Sequence, residues 1–124
     1  MGKLECENIT YKIRGALFEI YNVLGPGFKE IIYHKSLKEE FDKRGIDYRE
    51  KERIKIIFKN KIVGVYEPDY LVEGKVIIEL KAVDLMPKLF EKQLYSYLKA
   101  TKYRVGILVN FGGAKLEIKR LVYG

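Results

Sequence analysis

The chain has 124 residues, enough for one compact domain spanning 1–124 and too few for two. Hydrophobic residues make up 48% and charged residues 33%, which excludes intrinsic disorder, and no apolar run approaches the length of a membrane span. A formal net charge of +7 suits a polyanionic partner such as nucleic acid, although a solvated basic surface produces the same balance.

Lys3, Glu5 and Glu7 interrupt any apolar stretch at the N-terminus, so a secretory leader is not expected there. The single cysteine, Cys6, excludes an intramolecular disulfide, and with the single histidine, His34, it cannot make a closed zinc site. A soluble, cytoplasmic protein is expected.

Ile9, Ile13, Leu17, Ile20 and Leu24 recur at helical spacing and predict a first helix from about 8 to 24. Gly25-Pro26-Gly27 breaks it. A second helix follows, with Glu30, Tyr33, Leu37 and Phe41 near one face and Gly45 closing its C-terminal end. Ile54 to Phe58 reads as a strand ending at the polar turn Lys59-Asn60-Lys61. Val63 and Val65 alternate toward Asp69 and Leu71 as a second strand, Glu73-Gly74 marks a hairpin, and Val76 to Lys81 alternate as a third. Pro87 starts a third helix that runs to about Ala100. Arg104 to Val109 reads as a buried strand and Leu116 to Val122 as a final edge strand. An antiparallel meander, a crossover helix and two more strands predict a mixed α/β sheet flanked by helices, with an additional N-terminal helix.

The chemistry concentrates around Pro68-Asp69 and Glu79-Leu80-Lys81. Side chains alternate across a strand, so Glu79 and Lys81 project from one face and Leu80 from the other. A carboxylate and an ammonium so placed can both reach one water on a divalent cation. Asp69, on the partner strand of the same hairpin, can add a second carboxylate oxygen of the kind Mg²⁺ prefers. A two-residue turn at Glu73-Gly74 would put Asp69 opposite Ile78, on the wrong face. A three-residue loop with Gly74 in a left-handed conformation, or a bulge near Pro68, would bring it opposite Glu79, and one of those irregularities is predicted. The simpler reading of Glu79 and Lys81 is an exposed ion pair on a hairpin.

Upstream, Glu30 follows the Gly-Pro-Gly break by about one turn; compensation of the helix N-terminal charge is its alternative role. Downstream, Gln93 and Tyr97 stand four apart on one helix face, where ordinary surface is the alternative. His34, one turn after Glu30, reads as an exposed helix histidine, and Cys6 as incidental.

Glu30, Asp69, Glu79-Leu80-Lys81 and Gln93-Leu94-Tyr95-Ser96-Tyr97 together resemble the four sequential motifs of the PD-(D/E)XK nuclease superfamily. Gly27-Phe28-Lys29-Glu30-Ile31-Ile32-Tyr33 resembles the signature of the GxxExxY family within it. The stretches Val76 to Val83, Gln93 to Thr101, Gly106 to Gly112 and Ile118 to Val122 also look like that family. The resemblance implies a restriction-endonuclease-like core and metal ligation by Glu30, Asp69 and Glu79 with the Leu80 carbonyl. It makes Lys81 the counterpart of the catalytic lysine, with Gln93 and Tyr97 supporting the site or contacting substrate.

The leading expectation is hydrolysis of nucleic-acid phosphodiesters, DNA ahead of RNA, with Mg²⁺ or Mn²⁺. Lys35, Lys88, Lys92 and Lys102 are candidates for holding a backbone, against solvated helix faces as the simpler reading. Two other readings stay open. One is an inactive nucleic-acid- or protein-binding module on the same scaffold. The other is a Holliday-junction-resolvase-like endonuclease, which would demand a homodimer.

Overall fold

The computed structural model describes residues 6–124; Lys3 and Glu5, on which part of the N-terminal reading rests, lie outside the described residues. Helix α1 (Glu7–Leu24) buries Ile13, Ala16, Leu17 and Ile20, close to the stripe its spacing predicts. Gly25, at φ 67°, ends it in a conformation that glycine adopts without strain. Helix α2 (Glu30–Arg44) buries Tyr33, His34, Leu37 and Phe41, and Gly45 closes it in the left-handed conformation. Tyr33 fixes the start of this helix. Its hydroxyl donates to the Gly25 carbonyl at 2.6 Å and accepts from the Phe28 N–H at 3.2 Å, while its ring stacks on Phe111 at 4.4 Å. Glu30, the first residue of α2, is held in place by that clamp.

Seven strands follow the two helices: β1 (Tyr48–Glu50), β2 (Ile54–Phe58), β3 (Lys61–Tyr66), β4 (Tyr70–Val72), β5 (Val76–Lys81), β6 (Val105–Asn110) and β7 (Glu117–Val122). Helix α3 (Lys88–Ala100) crosses between β5 and β6. Five strands form one sheet in the order β1-β4-β5-β6-β7. Only β5 and β6 are parallel, as a helical crossover requires, and the other neighbours are antiparallel. The fold is mixed α/β and consistent with a restriction-endonuclease-like core.

The sheet has a core on each face. Ile78, Leu80, Ile107, Val109 and Tyr70 pack with α1 and α2, whereas Ile77, Leu71 and Leu108 pack with Leu94 and Leu98 of α3. Both central strands are therefore apolar on both sides, and all six β6 residues are buried.

The expected strand through Val63, Val65 and Asp69 is two strands in two sheets. Lys61–Tyr66 pairs with β2 as a separate two-stranded ribbon, and only Tyr70–Val72 joins β5. Pro68 lies between them. It has no N–H to give to a ladder, so pairing stops there and the chain changes sheets. Strand β1 has no signature in the sequence, because three residues are too few to show a period.

Candidate active site

The β4–β5 hairpin sets the register of the site. Its loop has three residues, Glu73 to Lys75, between Val72 and Val76, with Glu73 at φ 51° and Gly74 at φ 66°. Tyr70 stands opposite Ile78 and Leu71 opposite Ile77, so continuing the register by one residue brings Asp69 level with Glu79. The three-residue, left-handed loop is one of the two irregularities the sequence called for.

Because β4 begins only at Tyr70, the edge of β5 beyond Ile78 has no strand beside it, and Asp69 enters the resulting notch. The Lys81 carbonyl faces β6, where it accepts from the Phe111 N–H at 2.9 Å. Backbone groups of successive strand residues face alternate sides, so the Leu80 N–H and carbonyl face the notch. The N–H donates to Asp69 Oδ2 at 2.7 Å. The carbonyl opens on the same space.

Glu79 and Lys81 lie on the α3 side, with Leu80 buried on the other. Burial is the main reason the Glu79 carboxyl is pushed up to about 7; the negative charge of Asp69 adds to it, and the Tyr66 hydrogen bond and Lys81 oppose it. Tyr66 donates from its hydroxyl to Glu79 Oε2 and stacks on Tyr97, centroids 3.8 Å apart and 4° from parallel. Lys81 Nζ sits 4.5 Å above the Phe90 ring. Glu79, Lys81, Phe90, Gln93 and Tyr97 together line a recess of about 40 Å³. Gln93 and Tyr97, four apart on one face of α3, thus share a recess with Glu79 and Lys81.

Glu30 reaches the same region from α2, across the notch. The residue is exposed, yet its carboxyl is partly withdrawn from water, which raises its pKa; Asp69 raises it further, and Lys81 and His34 lower it. Asp69 is thus the shared neighbour, coupled to Glu79 on one side and to Glu30 on the other. Among the described residues, no three His, Cys, Asp or Glu side chains are already gathered in an arrangement that could hold a metal ion. The donor chemistry nevertheless suits a hard cation: the Glu79 carboxyl, pushed up to about 7 chiefly by burial, has the Asp69 carboxylate as a neighbour and the Leu80 carbonyl facing the same notch.

His34 departs from its expected exposure. It is only 6% exposed, with Nε2 at 2.9 Å from Glu50 Oε1, Nδ1 at 3.7 Å from Asp69 Oδ1, and its ring stacked on Tyr70 at 4.5 Å. Burial raises the Glu50 carboxyl, but hydrogen bonds from His34 and Lys38 outweigh it and the net shift is downward. A signal was available, since His34, Leu37 and Phe41 stand at i, i+3 and i+7 of one helix stripe. Tyr66 had no comparable signal, because its contact with Glu79 depends on how the ribbon leaves the sheet. Asn110 is a third unanticipated member. Its Oδ1 accepts from the Val83 and Gly112 N–H groups at 2.9 and 3.1 Å and its Nδ2 donates to the Val83 carbonyl at 2.8 Å, pinning the chain just after Lys81.

A protein-family model described as the PD-(D/E)XK nuclease superfamily matches residues 7–121. No curated protein and no solved structure matches the chain.

Proposed function

The chain belongs to the PD-(D/E)XK nuclease superfamily, and from that premise we propose that it is a divalent-metal-dependent nuclease working through Glu30, Asp69, Glu79 and Lys81. The observation that carries this reading is the notch at the end of β4, where Asp69 stands level with Glu79 and receives the Leu80 N–H at 2.7 Å. Glu30, Asp69, Glu79 and the Leu80 carbonyl would hold Mg²⁺ or Mn²⁺. When bound, such an ion supplies charge neutralisation at the scissile phosphate and a more acidic water.

Lys81 offsets the negative charge that builds on the phosphate oxygens in the transition state. Phe90 beneath its ammonium restricts where that charge can sit. Tyr66 orients Glu79, and Gln93 and Tyr97 contact the substrate from the other wall of the recess. The Gly27-to-Tyr33 segment supports a place in the GxxExxY group, and its geometry has a reason: Tyr33 ties down the loop that delivers Glu30. The reading includes one domain over 1–124 and a cytoplasmic location; among the described residues no helix is long and apolar enough to cross a membrane.

Glu79→Ala is expected to abolish Mg²⁺-dependent cleavage of DNA or RNA with the fold kept, as judged by circular dichroism. Retained cleavage would remove the proposed site. The alternative is an inactive binding module on the same scaffold, favoured by the ungathered state of the acidic side chains. Calorimetric titration with Mn²⁺ separates the two, because a module of that kind has no need to bind metal at Glu79.

A further inference from the structure

The β2–β3 ribbon is an arm rooted in the candidate site. Its last residue, Tyr66, carries the hydroxyl bonded to Glu79 and the ring stacked on Tyr97. On the side facing α3, Ile54 and Ile56 pack against the second core, and a groove of about 400 Å³ runs between Ile56 and the Gln93, Ser96 and Tyr97 positions of α3. The rest of the ribbon is exposed. Ile57, Ile62, Val63 and Val65 are 42–60% accessible, and Phe58, at the tip beside the Lys59-Asn60 turn, is 60% accessible. Both turn residues have positive φ, 48° and 67°, which matches the tight hairpin turn that preserves strand twist, and a register shift between Ile56 and Ile57 leaves Val63 as the extra residue of a bulge that increases the twist toward the tip.

The charge on this arm has one sign. Between 54 and 66 the ionisable residues other than tyrosine are Lys55, Lys59 and Lys61, all exposed, with no acidic residue among them. A second copy laid ribbon to ribbon would bring six lysines together, so self-pairing is disfavoured. A polyanion is favoured, and the arm's attachment to a nuclease-type site makes that polyanion the substrate.

Resting on the function proposed above, we infer that the substrate is double-stranded DNA and that the β2–β3 ribbon enters its major groove. Two hydrogen-bonded strands lie about 4.8 Å apart, and with their side chains they fit the B-form major groove, about 12 Å wide. The A-form major groove of double-stranded RNA is too deep and narrow for them. In the groove the lysines meet the flanking phosphates. The aliphatic outer residues meet thymine methyl groups, and Phe58 presses against the base edges at the tip.

The test is fluorescence anisotropy with metal-free protein and three labelled probes: a short DNA duplex containing A·T pairs, the RNA duplex of the same sequence, and the DNA single strand. The DNA duplex is expected to bind at least about tenfold more tightly than the RNA duplex. Lys55→Gln/Lys59→Gln/Lys61→Gln is expected to weaken duplex binding and to flatten its logarithmic salt dependence by about three, one for each phosphate that no longer meets a lysine. Phe58→Ala is expected to weaken it with the salt dependence unchanged. Mn²⁺ binding should stay at the wild-type level in all of these variants.

Equal affinity for the RNA duplex, or wild-type affinity and salt dependence in the triple variant, overturns the inference while the nuclease reading stands if the wild-type protein still cleaves. A wild-type dimer that Ile57→Lys converts to monomer, with duplex binding unchanged, also overturns it, in favour of a second copy. A wild-type protein that neither binds nor cleaves any nucleic acid sinks both readings together.

Discussion

The Tyr66 hydroxyl donates to Glu79 across the boundary between two sheets, joining the root of the ribbon to the middle of the five-stranded layer. The flat stack on Tyr97 fixes the direction from which that bond arrives. Tyr66→Phe keeps the stack and removes the donor that favours the ionised carboxylate, so Glu79 is expected to titrate at a higher pH. Carbon-detected NMR of the Glu79 carboxyl reads this directly. An unchanged midpoint would mean the bond does not bias the carboxylate in solution.

Stability should carry the mark of the same carboxyl. Native Glu79 keeps its proton up to about 7, against an ordinary 4.5. Between those values the native state binds more protons than the unfolded chain, so stability falls as pH rises through the window and levels off above it. Glu79→Gln cannot ionise. It is expected to lose that slope and to exceed the wild-type protein by on the order of 2 kcal/mol in mildly alkaline buffer. Urea denaturation at several pH values measures both, and parallel curves for the two proteins would contradict the account.

Lys81→Ala separates charge compensation from metal holding. Turnover is expected to fall by about a hundredfold or more, as when one charge-stabilising donor is removed, with Mn²⁺ affinity changed much less. Single-turnover cleavage and calorimetry on the same preparation decide it. A large loss of Mn²⁺ binding would reassign the lysine to ligand positioning.

His34→Ala removes the buried ring between Glu50 and Asp69 and its stack on Tyr70. A cost of about 2–4 kcal/mol is expected from the cavity and the missing partner of Glu50. Asp69 also loses a neighbour, so Mn²⁺ affinity should drop alongside stability. A fully stable variant would show that the histidine is dispensable to the packing of α2.

Gly112 is constrained by space. A Cβ there would stand 2.5 Å from the Val83 nitrogen and 2.6 Å from its carbonyl oxygen, both backbone atoms in the segment that follows Lys81. Gly112→Ala is expected to cost about 2 kcal/mol or more, whereas Gly64→Ala, which meets nothing within 4 Å, should cost far less. Thermal melts of the two variants compare them.

Much of this architecture could be read in the chain because its periods are strong. The apolar spacing of α1, the alternation of Val76 to Lys81 and the glycines at 25 and 45 mark elements whose local preferences agree with their final surroundings. The placement of Asp69 was legible as a condition: the register had to be irregular, and the Glu73–Lys75 loop supplies the irregularity. What escaped was non-local. Pro68 marks a break in pairing, but nothing near it says that the preceding strand joins a different sheet. Tyr66 and Asn110 look like ordinary aromatic and polar positions until the contacts with Glu79 and Val83 exist.

The tip of the β4–β5 hairpin has an unusual consequence. Surface turns ordinarily absorb inserted or deleted residues at little cost. Here the count of three is what aims Asp69, since losing one residue slides the strand a single place and swings its carboxylate to the opposite side of the layer. Substitutions at Glu73 or Lys75 leave the aim intact, whereas an indel at this tip would turn the buried Tyr70, Leu71 and Val72 to the wrong faces together with Asp69, so the aim of the carboxylate is tied to the packing of both cores.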